Sequence, residues 1–140
     1  MTLPVTAFVA AICALMLLLT AVDTVRQRMR LRVPFGDGSD PKLISASRSH
    51  ANLAEHAPIV ILLLALLEMS HANHMGLMVT GTLFLAGRVA HIVGLYAPMS
   101  EKPPLPRSIG VIITWLTLAA LSGWTLAILA MQNLTLPQAA

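Results

Sequence analysis

Four long, predominantly apolar stretches limit the fold of this 140-residue chain more than any other feature of its sequence. They predict helices at about residues 4–25, 44–69, 75–97 and 107–131. Each is close to the roughly 20 residues that a helix needs to cross a bilayer. With 56% hydrophobic and only 11% charged residues, the chain is too apolar for an ordinary soluble domain. The sequence therefore predicts an all-α membrane protein with a single domain over residues 1–140.

The four segments are expected to form an up-and-down helical bundle. Backbone groups inside a bilayer must bond within the protein, and the alternating ten-residue strands of a membrane barrel are not visible. The first segment resembles a signal peptide in its apolar run. However, its basic residues follow the run and no cleavage signal comes soon after it, so we interpret it as a helix of the protein.

Basic residues predict the orientation of the bundle. Two connections between the helices carry the relevant side chains: Arg26, Arg28, Arg30, Arg32 and Lys42 in the first, and Lys102 and Arg107 in or near the third. The positive-inside rule then predicts that loops 1–2 and 3–4 are cytoplasmic and that both termini lie outside. The net charge of +3 is explained by topology, so we expect no nucleic-acid partner.

Ionisable residues inside the spans indicate a polar layer. Arg48, Asn52 and Glu55 have the i, i+4, i+7 spacing that places side chains on one helix face, and Arg88 and His91 share a face of the third helix. An arginine at the centre of a spanning helix costs about 2.5–3.5 kcal/mol, so we expect Glu55 to be the counter-charge of Arg88. The residues alone do not separate a ligand site from a structural network that orders the helices.

Two other groups of residues suggest no chemistry. Cys13 is the single cysteine and has no partner for a disulfide or a metal site. Glu68, His71 and His74 cluster near the second loop, but their spacing fits no closed metal site. We therefore expect no metal.

Three motifs resemble the MAPEG superfamily, the membrane-associated proteins of eicosanoid and glutathione metabolism. They are Arg48-x-x-x-Asn52-x-x-Glu55-x-x-Pro58, Gly87-Arg88-Val-Ala-His91 and Pro106-Arg107-Ser108. The second is especially similar to the prostaglandin-synthase members. The chain as a whole looks most like the short bacterial branch, which implies an inner-membrane location.

The resemblance implies a homotrimer that binds glutathione between neighbouring protomers near the cytoplasmic side. Arg107 matches the arginine that stabilises the glutathione thiolate and is the implied catalytic residue. A thiol with a pKa near 8.5 is mostly protonated at neutral pH, and a fixed guanidinium favours the thiolate. The implied glutathione-binding residues are Arg28, Arg30, Arg48, His50, Asn52, Glu55, His56, Arg88, His91 and Tyr96. The family has one such arginine near the end of its first helix, and the sequence does not choose between Arg28 and Arg30.

The function implied is that of a membrane-bound glutathione transferase, in which a lipophilic small molecule reaches the thiolate from the bilayer. A non-catalytic lipid-binding or scaffold protein of the same superfamily is the alternative. That alternative is favoured by His56 and Leu95, which occupy positions where many enzymatic members have tyrosine. A small multidrug transporter is disfavoured, because the first segment lacks the acidic residue that such proteins carry.

Overall fold

The structure is a computed structural model that describes residues 2–98 and 102–135. Within these residues the chain forms four helices: α1 (Pro4–Leu31), α2 (Pro41–Met69), α3 (His74–Tyr96) and α4 (Leu105–Thr135). All four are long and apolar enough to cross a membrane. The prediction of an all-α membrane protein with four spanning helices is confirmed. The last five residues, which the sequence predicts to lie on the side opposite the cytoplasm, are not among the described residues.

The helices pack chiefly as two pairs, α1 with α2 and α3 with α4. Smaller contacts of α3 with α1 and α2, and of α2 with α4, join the pairs into one bundle. Its apolar core includes Val9, Leu53, Val60, Leu64 and Phe84, all nearly inaccessible to solvent. The buried polar side chains of Arg88 and His91 lie between this core and one end of the bundle.

We call that end the basic end, because it holds the α1–α2 connection with its arginines and the α3–α4 connection. Here α1 is longer than predicted and continues to Leu31, since arginine, methionine, glutamine and leucine all favour helix. It ends at Arg32, whose φ of 56° places it in the left-handed conformation of a helix C-cap. The basic residues of this connection are therefore largely helical.

The second helix begins earlier than predicted because Asp40 caps it. Asp40 Oδ1 accepts bonds from the backbone amide of Leu43 at 2.9 Å and from Arg30 Nη2 at 2.7 Å, and Pro41 follows at the first helical turn. The Leu43 amide, together with Arg30, holds the pKa of Asp40 below its ordinary value. This cap and ion pair fix the α1–α2 connection.

At the opposite end, the carboxylate of Glu68 joins α2 to the start of α1. Its oxygens accept bonds from the backbone amides of Val5 at 2.9 Å and Thr6 at 2.8 Å, and from Thr6 Oγ1 at 2.7 Å. The N-cap residue of α1, Leu3, offers no side-chain bond of its own. Glu68 therefore caps α1 from a different helix.

Helices α3 and α4 approach each other backbone to backbone through glycines. A Cβ added at Gly94 would lie 2.6 Å from Arg107 Cα, and one at Gly110 would lie 2.7 Å from His91 Cβ. Only residues without a side chain allow such close packing of two membrane helices. This approach brings Arg88 and His91 of α3 against the first turns of α4.

Candidate functional site

A polar cavity of about 230 Å³ lies near the basic end, between α2, α3 and α4. Its described lining is Arg48, Asn52, His56, Arg88, His91, Leu95, Arg107, Val111, Thr114 and Trp115. Three of these residues are arginines, two are histidines, and none of them is acidic. The cavity is therefore strongly cationic, and we refer to it below as the cationic cavity.

Arg88 is the most deeply buried charge of the cavity, with 2% of its surface exposed. Its Nη1 donates to Asn52 Oδ1 at 2.5 Å, and its Nη2 donates to the carbonyl of Gly110 at 3.2 Å and to Thr114 Oγ1. The guanidinium also lies 5.6 Å from the centre of the Phe84 ring, within cation–π range. Nε has no bond partner among the described residues. Neutral acceptors thus hold this buried cation.

The prediction that Glu55 is the counter-charge of Arg88 is wrong. Glu55 is exposed, does not line the cavity and forms no ion pair with Arg88. Asn52, nearly one turn earlier on α2, faces α3 and reaches the guanidinium first. Glu55 lies about 60° further around the helix, which turns its carboxylate toward the outside of the bundle.

Arg107 lies at the first turn of α4, where Gly94 of α3 touches its backbone. Its carbonyl faces Nδ1 of the buried His91 at 3.4 Å, and its side chain lines the cationic cavity. The side chain is partly exposed, so Arg107 lies where the cavity opens to the surface. Arg107, for which the family resemblance implies a thiolate-stabilising role, therefore lines the same cavity as Arg48 and Arg88.

The cavity brings together some of the predicted site residues: Arg48, Asn52, His56, Arg88, His91 and Arg107. It does not include Arg28, Arg30, His50, Glu55 and Tyr96. His50 Nδ1 pairs with Thr20 Oγ1 at 3.1 Å between α1 and α2, and the Tyr96 hydroxyl donates to Asp23.

The two candidate arginines of α1 are both engaged in the first connection. Arg28 Nη1 donates to the carbonyls of Pro34 and Gly36, at 3.3 and 2.9 Å, and Arg30 pairs with Asp40. Neither lines the cationic cavity. The geometry therefore does not choose between them.

Sequence reasoning missed the contribution of α4 beyond Arg107. Val111, Thr114 and Trp115 line the cavity, and Thr114 is nearly fully buried with its hydroxyl on Arg88. Residues 107, 111 and 114 have the spacing of a single helix face, as residues 48, 52 and 55 do. That spacing could have identified Thr114 as a neighbour of Arg107 from the sequence alone.

A larger cleft of about 750 Å³ adjoins the cationic cavity at the basic end. Its described lining is Gln27, Pro41, Lys42, Ile44, Ser45, Arg48, Gly94, Leu95, Tyr96, Ala97, Pro98, Pro104 and Arg107. Arg48, Leu95 and Arg107 line both spaces. We call this space the interfacial cleft.

Comparison with known proteins agrees with this architecture. The sequence profile of the MAPEG family matches residues 6–127. Inner membrane protein YecN of Escherichia coli strain K12 is 37% identical over 114 residues, which cover 81% of this chain and 84% of the relative. The protein of the same name from Escherichia coli O6:H1 strain CFT073 gives the same values. No solved structure matches the chain significantly. The profile match covers most of the chain and every helix, so the chain belongs to the MAPEG family.

Proposed function

We propose that this protein is a membrane-bound glutathione transferase-like enzyme, which conjugates or reduces lipophilic electrophiles with glutathione as its co-substrate. The observation that carries the proposal is the cationic cavity: Arg48, Arg88 and Arg107 line one space, and no described lining residue is acidic. Glutathione carries two carboxylates and reacts as a thiolate, so an excess of fixed positive charge suits both its binding and its activation.

Arg107 is the proposed catalytic residue. Its guanidinium, partly exposed at the mouth of the cavity, stabilises the thiolate and raises its population at neutral pH. In conjugation, the thiolate lone pair forms a carbon–sulfur bond while a leaving group departs with its bonding pair, or while the electrons of a double bond move to its far carbon, which takes up the proton released by the thiol. In reduction of a hydroperoxide, the thiolate attacks one oxygen as the O–O bond breaks, and a second glutathione displaces water from the sulfenic acid to give glutathione disulfide. Holding both reactants at one position supplies the remaining rate enhancement.

The other cavity residues bind and position the tripeptide. Arg48 and the buried Arg88 provide positive charge for its carboxylates, and Asn52 orients the Arg88 guanidinium. His56 and His91 add hydrogen-bonding groups to the same wall. The lipophilic co-substrate approaches from the bilayer side.

We further propose that the protein functions as a homotrimer in the inner membrane, with its basic end in the cytoplasm and glutathione between neighbouring protomers. The cavity of one protomer, about 230 Å³, is smaller than the roughly 300–1,000 Å³ typical of ligand sites, which supports a site completed by a neighbour. Glu55 and Arg48 are exposed on α2 and are available to such a neighbour. The basic residues of the two connections favour the cytoplasmic orientation.

A non-catalytic lipid-binding protein is the alternative function. The observation that favours it is the interfacial cleft, which is larger than the cationic cavity and contains Leu95 instead of a second tyrosine. Such a protein would bind a lipid without forming a glutathione thiolate.

The experiment is a thiolate measurement on the purified protein in detergent at neutral pH. We expect the ultraviolet absorbance of a glutathione thiolate with the native protein and its loss with Arg107→Ala. The matched control is Arg26→Ala, which removes an exposed arginine of α1 that does not line the cavity and should leave the absorbance unchanged. Absence of both thiolate absorbance and calorimetric heat at millimolar glutathione would overturn the enzyme proposal in favour of the alternative.

A further inference from the structure

The cationic cavity brings three guanidinium groups into one small space. Arg48, Arg88 and Arg107 line its volume of about 230 Å³. The described carboxylates all lie outside its lining: Asp23, Asp37, Asp40, Glu55 and Glu68. The two histidines of the lining do not balance the charge, because an imidazole is neutral or cationic and never an anion. Like charges repel more strongly in a buried space than in water, so an anion among the three arginines would stabilise them.

Arg88 keeps hydrogen-bonding capacity after its described contacts are made. A guanidinium has five N–H donors, and the bonds to Asn52, Gly110 and Thr114 use three of them. Nε is one of the donors that remain, and it is buried without a partner among the described residues. A buried donor that stays unpaired is costly. An acceptor that reaches these donors would therefore stabilise Arg88 by hydrogen bonding, and an anionic acceptor would add its charge.

The size of the cavity limits the anion that fits. A water molecule takes up about 30 Å³ of the liquid, so 230 Å³ is the space of about eight waters. A phosphate or sulfate ion with a few bound waters fits such a space, whereas a phospholipid with its acyl chains does not. The planar donor fork of arginine also matches the paired oxygens of an oxyanion. Size and geometry together indicate a small oxyanion.

We propose that the cationic cavity binds a small inorganic oxyanion of the phosphate or sulfate type, which accepts hydrogen bonds from Arg48, Arg88 and Arg107. Such bonds are charge-assisted, and the ion neutralises part of the charge of the lining. Binding needs neither a thiol nor a second substrate, so it goes beyond the proposed glutathione chemistry. Because glutathione is proposed to use the same arginines, the ion also regulates that site by competition, a consequence that rests on the proposed function.

Calorimetric titration tests the binding directly. The full-length protein is held in a non-ionic detergent without glutathione, and sodium gluconate keeps the ionic strength constant while sodium sulfate is added. We expect saturable binding of about one sulfate per protomer with a dissociation constant of roughly 1 mM or lower, the value for two or three charge-assisted hydrogen bonds. A parallel titration with inorganic phosphate shows which oxyanion binds more tightly. Heats equal to those of a gluconate blank for both ions would overturn the proposal.

The fluorescence of Trp115 locates the bound ion. Trp115 lines the cavity, whereas the other tryptophan of the chain, Trp124, packs beside Gly76 at the opposite end of the bundle. In a Trp124→Phe protein, the emission of Trp115 should change with sulfate concentration along the same curve as the calorimetric heat. In the matched Trp115→Phe protein, the emission of Trp124 should not respond to sulfate. A response from Trp124 alone would place the ion elsewhere and overturn the assignment to this cavity.

Substitutions in the lining change the charge that the ion meets. Asn52→Asp places a carboxylate beside Arg88 and should weaken sulfate binding about tenfold or more. Arg48→Ala removes a cation from an exposed position of the lining and should also weaken binding about tenfold. Arg26→Ala, an exposed charge outside the lining, is the matched control and should bind sulfate as the native protein does. Native affinity in Asn52→Asp, or equal losses for Arg48→Ala and Arg26→Ala, would overturn the proposal.

Competition experiments separate this site from its alternatives. Displacement of sulfate by phosphatidylglycerol as readily as by inorganic phosphate would indicate a lipid head group and overturn the assignment to a free ion. Sulfate should raise the apparent dissociation constant of glutathione and lower the thiolate absorbance, and a thiolate signal unchanged by saturating sulfate would overturn the regulatory role. Saturable sulfate binding that is weakened by Asn52→Asp supports the anion site even where no thiolate forms, so failure of the glutathione proposal remains distinguishable from failure of this one.

Discussion

Arg88 is buried in a spanning helix, and neutral groups rather than a described carboxylate hold its guanidinium. Asn52, Gly110 and Thr114 accept its hydrogen bonds, which offset part of the cost of removing the charge from water. A carboxylate partner would also have cancelled the positive charge. Neutral acceptors leave that charge available, so an anion entering the cavity still interacts with it.

Substitution of Asn52 tests this arrangement. Asn52→Leu leaves Arg88 Nη1 without its acceptor and should lower the free energy of unfolding by about 1.5–3 kcal/mol, the usual value for a hydrogen bond to a charged group. Asn52→Asp supplies a carboxylate of nearly the same shape and should raise the melting temperature while weakening glutathione binding. Thermal unfolding in detergent and calorimetric titration with glutathione measure the two effects. An Asn52→Asp protein less stable than Asn52→Leu would contradict the prediction.

Helix geometry predicted some of these residue positions and failed for others. A turn of 100° per residue separates Leu95 from Tyr96, and Leu95 does line the cationic cavity while the Tyr96 hydroxyl turns to Asp23. The same geometry placed Asn52 and Glu55 on one face but did not show which of them α3 contacts. That choice depends on how the helices are rotated against each other, which the sequence of one helix does not encode.

At the scale of helices, α1 depends on α2 for its N-cap. Glu68→Ala removes three hydrogen bonds at the start of α1 and should lower the free energy of unfolding by about 1–2 kcal/mol, because a cap and a favourable dipole interaction are lost together. Glu68→Gln keeps one acceptor oxygen and should lose less. Hydrogen exchange at the amides of Val5 and Thr6, with thermal unfolding, provides the measurement.

The control for Glu68 is Ser70, two residues later, whose hydroxyl bonds to the carbonyl of Leu66 in α2. Ser70→Ala should leave exchange at Val5 and Thr6 unchanged. Faster exchange in both variants would indicate a general loosening of this end of the bundle. The sequence did not reveal the cap, since Glu68 and Thr6 are 62 residues apart and share no local motif.

Alanine substitution should have opposite effects on stability at two glycines of the α3–α4 pair. A methyl group at Gly94 would lie 2.6 Å from Arg107 Cα and must push α4 away, whereas Gly123 has nothing within 4 Å of the added atom. Gly94→Ala should therefore lower the melting temperature and reduce thiolate formation. Gly123→Ala should retain full thiolate absorbance and gain up to about 1 kcal/mol of stability from the better helix propensity of alanine. Normal thiolate formation in Gly94→Ala would show that Arg107 is not positioned by this contact.

The existence of the four helices was predictable, but their ends and mutual contacts were less so. Length and apolar content are properties of each segment alone, and they were sufficient to identify every span. The extension of α1 to Leu31 depends on strong helix formers in a charged stretch that hydropathy excludes. The close approach at Gly94 and Gly110 depends on two helices at once, and small residues at such positions are recognisable only when the pairing is known.

On the scale of the whole molecule, α2 presents polar groups in two directions. Asn52 faces inward to Arg88, whereas Arg48 and Glu55 are exposed on a helix that spans the membrane. An ionised side chain in contact with lipid costs about 2.5–3.5 kcal/mol at the bilayer centre, and such residues usually face a partner or a water-filled space. The exposed carboxylate of Glu55 is thus an argument for the proposed trimer, in which a neighbouring protomer packs against this side of α2.

Removal of the Glu55 charge tests that assembly. We expect the native protein to be a trimer by native mass spectrometry. The Glu55→Gln trimer should dissociate more readily in detergent, because residue 55 then offers no charge to the neighbouring protomer. Asp37→Asn, which neutralises an exposed loop carboxylate, is the control and should leave the trimer intact. A monomeric native protein, or a Glu55→Gln trimer of unchanged stability, would contradict the proposal.

Because the small cavity is proposed to be completed by the neighbour, Glu55→Gln should lose glutathione affinity in proportion to its loss of trimer, whereas Asn52→Asp should lose affinity with the trimer intact.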